Sequence, residues 1–267
     1  MRPQPLEWLA GRTAEKQKRL DLDVVLYRDS NDPVLVDLLL TLTSQAFLPR
    51  SIRISSPQDA QEREQEELKA LSAVSNCVHF VRSVESSKAG ELTRIANKGS
   101  AGSILFLEPQ DLLLPGSLES IHHAGQRSKS DVTYGSRVVV DQFNRRVGQW
   151  DLPSFTPDIL LWRPLIPRET FVCSRSSWNA AGSTLDYNYQ HLYYWDLQLR
   201  LYAIGAKFER REDMWGATRT SVSPWYPESE AYEEYRSLLR RTHNREIGSG
   251  EVDENLSLLA LRSKAKF

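Results

Sequence analysis

Sulfur is scarce in this chain: two cysteines and two methionines in 267 residues. Cys77 and Cys173 stand far apart, each beside apolar residues, so they read as buried free thiols. That argues against a disulfide framework or a thiolate metal centre and fits a reducing compartment. Long apolar runs are also missing. No stretch approaches the ~20 residues that span a bilayer. The opening "MRPQPLEWLAGR" lacks the apolar h-region of a signal peptide. The expectation is a cytoplasmic protein, with peripheral attachment at the inner face of a membrane left open. Nor is there an excess of one charge. The 34 Lys and Arg nearly balance the 35 Asp and Glu, so no overall field advertises a nucleic-acid partner. No internal repeat or low-complexity tract interrupts the chain.

What is present suits a folded α/β protein. Apolar residues make up 40% and charged residues 26%, enough for a sizeable core. The length fits one large domain, or one domain with a small appendage. "LDVVLY" (22–27), "SIRIS" (51–55), "VHFVRSV" (78–84) and "SILFLE" (103–108) are compact runs of the kind that form buried strands. Between them lie helical patterns. In "VLVDLLLTLTSQA" apolar residues fall at 35, 38, 39 and 42, with Asp32 and Pro33 as a helix start. "QDAQEREQEELKALSAV" and "AGELTRIANKG" follow, the latter ended by Gly99. This alternation predicts a doubly wound, mostly parallel central sheet flanked by helices, with ligands beyond the carboxyl ends of the strands. Glu108 and Asp111 fall at one such end.

The second half reads differently. Residues 131–150 predict two strands joined at "DQFNRR", and "TFVCS" another, with a helix from about Ser176. "LYYWDLQLRLYAIG" (192–205) predicts a helix closed by Gly205, "KFERRE" a strand, and residues 227–246 a surface helix with Tyr232, Tyr235, Leu238 and Leu239 on one side. The division that follows is an N-terminal arm at 1–21 packed by Trp8, a main domain at 22–223, and a helical extension at 224–267.

Taken in order, "DVVLYRDSNDPVLVDLLLTLTSQAFLPRSIRI", "AGELTRIANKGSAGSILFLEPQDLLLPGSL", "DVTYGSRVVVD", "FTPDILLWRPLIPRETFVCSRSSWNAAG", "YYWDLQLRLYAIG" and "WGATRTSVS" resemble the successive segments of an inverting family-2 glycosyltransferase with a GT-A fold. The resemblance implies that a nucleotide-sugar donor and a glycan or lipid-linked acceptor meet in a cleft, in surface polysaccharide assembly. A divalent cation, Mn or Mg, would bridge two carboxylates and the donor diphosphate. A carboxylate base would deprotonate the acceptor hydroxyl.

The chemistry-bearing positions depart from that pattern. The Asp-x-Asp metal motif falls on Glu108-Pro109-Gln110, leaving Glu108 and Asp111 as the metal pair. Those two could equally cap the next helix or pair with an arginine. The base position falls on Tyr194, a poor base near neutral pH because a phenol titrates near about 10. His191, three residues earlier, and Asp196 are the alternatives; Asp196 also reads as structural support. On the donor side the resemblance points to Asp59, displaced beyond Ser55 and Ser56, and to Asn97 and Arg219. His122 and His123 read as exposed. Trp150, Trp162, Trp195 and Trp225 suit either a sugar-stacking groove or core packing. Two functions follow: a transferase, or a non-catalytic GT-A module that binds glycan or scaffolds a partner glycosyltransferase.

Overall fold

The computed structural model describes residues 17–28, 35–56, 76–127, 129–141, 143–219 and 229–244. The arm around Trp8, the Asp32–Pro33 helix start, Asp59, the helix expected at 58–74, Trp225 and the tail from Gly248 lie outside the described residues.

The four early strands form as their apolar runs predict. They are β1 (Lys18–Tyr27), β2 (Phe47–Ser56), β3 (Val78–Arg82) and β4 (Ser103–Leu107), side by side in the order β3-β2-β1-β4 and all parallel. Two of them start earlier than their apolar runs. Lys18–Leu20 pair with Phe47–Pro49, where Lys18 and Arg19 interrupt the apolar pattern: the Lys18 ammonium lies over the Phe47 ring and Arg19 donates to the Pro49 carbonyl. Helix α1 (Leu35–Thr43) joins β1 to β2, and α2 (Lys88–Asn97) precedes β4.

Beyond β4 the sheet becomes mixed. A two-residue strand, β5 (Leu112–Leu113), and α3 (Ser117–Arg127) lead to a hairpin of β6 (Val132–Val140) and β7 (Arg146–Trp150). The Asp141 carboxylate accepts from the Phe143 and Arg145 amides and closes the turn, with Asn144 at a positive φ of 62°. After α4 (Pro157–Leu160) and a 3-10 turn (Arg168–Thr170) comes β8 (Phe171–Ser174), inserted antiparallel between β4 and β6. Then follow α5 (Arg175–Ala180), α6 (Tyr193–Ala203), β9 (Phe208–Arg219) and α7 (Ser229–His243). β9 is twice the length of the "KFERRE" run, because the "WGATR" stretch continues it. It lies parallel to β6 and antiparallel to β5.

Apolar layers cover both faces. On one, α1 and α3 pack Leu38, Leu42, Leu118 and Ile121 against Val24, Ile52 and Leu105. On the other, α2, α6 and α7 pack Leu92, Trp195, Leu238 and Leu239 with Phe106, Tyr134 and Trp178. Cys77 and Cys173 are buried and free, and burial pushes the Cys173 thiol up to about 12. The two histidines of α3 are half-buried rather than exposed: His122 lies with its ring centroid 4.9 Å from that of Phe47. Trp195 is core, while Trp150 and Trp162 are half-buried at its edge.

A buried charge pins the sheet from below. Asp23 of β1 is 0% exposed and accepts from Ser51 Oγ at 2.6 Å, the Ala101 amide at 2.9 Å and Arg175 Nη2 at 2.7 Å. This network explains Gly99. Its backbone is not left-handed; a Cβ there would stand 2.2 Å from Asp23 Oδ2. Gly205, at φ 78°, does end α6 in the left-handed conformation that glycine favours.

Candidate functional site

At the carboxyl end of β4 the chain makes a closed turn. The Glu108 amide donates to Asp111 Oδ2 at 2.7 Å, and the Asp111 amide returns to the Glu108 carbonyl at 2.9 Å. β5 follows at once, held against β9. The 3-10 turn before β8 lies beside β4, and its first residue, Arg168, reaches over this turn. Arg168 grips Asp111 with Nη2 at 2.8 Å and Nε at 3.1 Å, and its Nη1 stands 3.0 Å from Glu108 Oε1. Lys88, the first residue of α2, brings its ammonium to 2.5 Å from the same oxygen. Gln110 donates to Glu108 Oε2, and Tyr193 Oη stands 3.4 Å from Oε1. The Tyr194 ring faces the Arg168 guanidinium at 5.4 Å.

Electrostatics follow from this packing. Burial works against ionisation of Glu108, but Arg168 and Lys88 outweigh it and hold its carboxyl at about 2. Burial pushes the Asp111 carboxyl up to about 6, against the pull of Arg168. With two guanidinium N–H groups and a backbone amide on its oxygens, Asp111 is a carboxylate at neutral pH. Burial likewise drives the Tyr193 and Tyr194 phenols well above their ordinary value, so neither is a proton acceptor at pH 7.

The divalent cation implied by the resemblance does not fit this donor set. Both carboxylates already share Arg168, and Glu108 carries Lys88 as well, so a cation would meet two positive charges in place. Among the described residues no group of three or more His, Cys, Asp or Glu side chains is arranged to hold a metal.

The base side is equally occupied. Asp196 is 0% exposed; Oδ2 accepts from Arg200 Nε at 2.8 Å and Oδ1 from Arg241 of α7. Both oxygens face guanidinium groups, and full burial keeps the carboxylate away from solvent and from an acceptor hydroxyl arriving through it. His191 is exposed, at the entrance to α6. Its backbone amide and those of Gln190 and Leu192 all donate to the carboxylate of Glu234 in α7, at 2.6 to 3.0 Å. α7 is fastened further by Tyr235 Oη on the Trp162 carbonyl and by His243, whose ring lies 4.2 Å from that of Trp162.

The donor-side residues are spread out. Ser55 donates to Glu91, a buried carboxylate of α2. Burial opposes ionisation of Glu91, yet the Glu85 and Val84 amides, Arg94 and Ser55 hold its carboxyl below the usual range. Asn97 ties α2 to α5, accepting from Trp178 Nε1 at 2.8 Å and donating to the Ser183 carbonyl. Arg219, 6% exposed, reaches the turn from outside: it donates to the Gln110 carbonyl, Asn144 Oδ1 and Asp37 of α1. The structure thus brings Glu108, Asp111 and Arg219 to one turn and leaves Asn97, Asp196 and His191 elsewhere.

Four residues that shape the site were not foreseen: Lys88, Arg168, Glu234 and Arg241. Lys88 left one signal. A lysine opening a helix stands against the macrodipole, so it needs a carboxylate to face.

No family model matches the chain, and no curated relative matches it. Among solved structures, residues 1–349 of S. aureus TarS in complex with UDP-GlcNAc are similar at a TM-score of 0.64 and 12% identity, over 90% of this chain and 71% of that one. The same fragment in complex with UDP gives a TM-score of 0.63 at 14% identity. The larger TarS structure gives 0.61, with this chain covering 44% of it. These likenesses show the fold, which is the GT-A glycosyltransferase-like fold that the order of sequence segments implied.

Proposed function

We propose that this chain is a glycosyltransferase-like module of glycan assembly that binds its ligands without transferring sugar. One observation carries this: the carboxylate nearest the base position, Asp196, is fully buried between Arg200 and Arg241, while Tyr194 holds the base position itself. An inverting transfer needs an acceptor for the hydroxyl proton within hydrogen-bond reach. Neither group meets that need. The ligands would be a glycan, a nucleotide-sugar, or a partner glycosyltransferase that supplies the missing groups.

UDP-GlcNAc is the first probe, because a structural neighbour was crystallised with it. The test is calorimetric titration with UDP and UDP-GlcNAc, together with measurement of UDP release in the presence of a panel of glycan acceptors. Binding without catalytic UDP release supports a module. Sustained, acceptor-dependent release overturns it. A transferase remains the second proposal on one observation: His191 is exposed at the entrance to α6, three residues before the base position. His191→Ala would then abolish release.

A further inference from the structure

We propose that Arg168 and Lys88 are a built-in replacement for a divalent cation, so that the turn at Glu108–Asp111 is complete without metal. This rests on the glycosyltransferase-like reading only in taking the end of β4 as the place where a cation would otherwise sit. The charge count closes. Two carboxylates, Glu108 and Asp111, face two fixed positive charges, as they would face one doubly charged ion.

The geometry goes beyond charge. The guanidinium spans both carboxylates from one side, with contacts of 2.8 and 3.1 Å to Asp111 and 3.0 Å to Glu108. A planar fork is suited to bridging two carboxyl groups in a way that a single ammonium is not. Lys88 adds the second charge from the opposite element, the start of α2, at 2.5 Å. Gln110 fits the same picture. In an Asp-x-Asp motif that position carries a carboxylate; here it holds an amide that donates to Glu108, which keeps the count at two against two. A third carboxylate nearby, Glu169, has its own counter-ion in Arg137 at 2.8 Å; it still pushes the Asp111 carboxyl up, so the count of two against two covers the groups in direct contact. Tyr193, Tyr194 and Phe106, all buried, pack together beside this group, and the Tyr194 ring faces Arg168. Arg168 and Lys88 are therefore positioning residues. They fix the carboxylates, and they make any ligand chemistry at this turn independent of metal.

The experiment removes the protein cations and asks whether a metal takes their place. The probe is Mn²⁺ alone, followed by the loss of the free-ion EPR signal and by the melting temperature in EDTA and in Mn²⁺. The wild-type chain is expected to take up no Mn²⁺ and to melt at the same temperature in both. The double variant Lys88→Ala/Arg168→Ala is expected to melt lower in EDTA and to take up one Mn²⁺ per chain. Its melting temperature would then recover by roughly 5–10 °C at about a hundred-fold excess over Kd. Adding Glu108→Gln should abolish that uptake.

Uptake of one Mn²⁺ by the wild type, lost in Glu108→Gln, would overturn the proposal. So would a double variant that takes up no Mn²⁺, whether it folds or stays unfolded with the ion present. Sugar transfer by the wild type in EDTA would sink the binding-only function and leave this inference standing, so the two fail separately.

Discussion

Replacing Asp196 separates a proton acceptor from a clamp. Its carboxylate is 0% exposed and joins two helices: Arg200 lies one turn on in α6, and Arg241 comes from α7. Asp196→Ala leaves both guanidiniums without their counter-ion. Breaking a buried pair costs about 3–5 kcal/mol. Arg241 is 44% exposed and can re-solvate, and Arg200 keeps the Ala181 and Thr184 carbonyls, which places the loss at the lower end. A loss of about 3 kcal/mol would lower the melting temperature by roughly 6–12 °C in a chain of this size. Asp196→Asn keeps one acceptor and should lose somewhat less. Arg241→Ala, touching the more solvated partner, should cost about 1 kcal/mol. Because the residues share one network, the double variant Asp196→Ala/Arg241→Ala should lose less than the sum of the two. The assay is urea unfolding followed by circular dichroism, with limited proteolysis to report release of α7. If Asp196→Asn unfolds within about 0.5 kcal/mol of wild type and abolishes sugar transfer, the clamp is refuted and Asp196 is the base.

Three further outcomes follow from the geometry. Asp23→Ala strips Ser51, the Ala101 amide and Arg175 of their shared acceptor and should cost about 4 kcal/mol by urea unfolding, of which Arg175→Met in the same chain recovers a substantial part. Gly99→Ala puts a methyl into the Asp23 carboxylate, 2.2 Å away, and should cost on the order of 2 kcal/mol, where an open helix end would gain from the same change. Glu108, lowered from 4.5 to about 2, contributes stability above pH 4.5 that is lost as the pH falls towards 2. Asp111, raised from 3.8 to about 6, works in the opposite sense, favouring the folded state less as the pH rises through that window. Stability measured across acid pH should therefore flatten in Glu108→Gln and rise more steeply with pH in Asp111→Asn.

The parallel half of the sheet was legible because its strands carry compact apolar runs; that of β4, "SILFLE", is buried on both faces, while edge strand β3 is largely open. The helix ending at Gly205 was legible because its glycine is truly left-handed. β5 was not, since two leucines between turn residues carry no period, and neither was the extent of β9, whose second half is secured by pairing with β5 and β6. At the site, Glu108 and Asp111 were visible as acids at a strand end, and an arginine partner was one of the two ways open to them. Which arginine could not be read. Arg168 lies 57 residues from Asp111 and meets it because β8 inserts beside β4. Glu234 and Arg241 were hidden for the same reason, being surface-helix charges whose partners are backbone amides and a core aspartate in another helix.

Arg219 has a consequence for how ligands are met. As the last residue of β9 it fastens the tip of the Glu108 turn, the first helix and the β6–β7 hairpin to one another. A turn tied through one guanidinium to a helix and a hairpin, and gripped by Arg168 on its carboxylates, has little freedom left to lose. Association at this face would demand almost no ordering of the protein, so it should proceed as rigid docking, with its entropy set by released water rather than by a chain that stiffens.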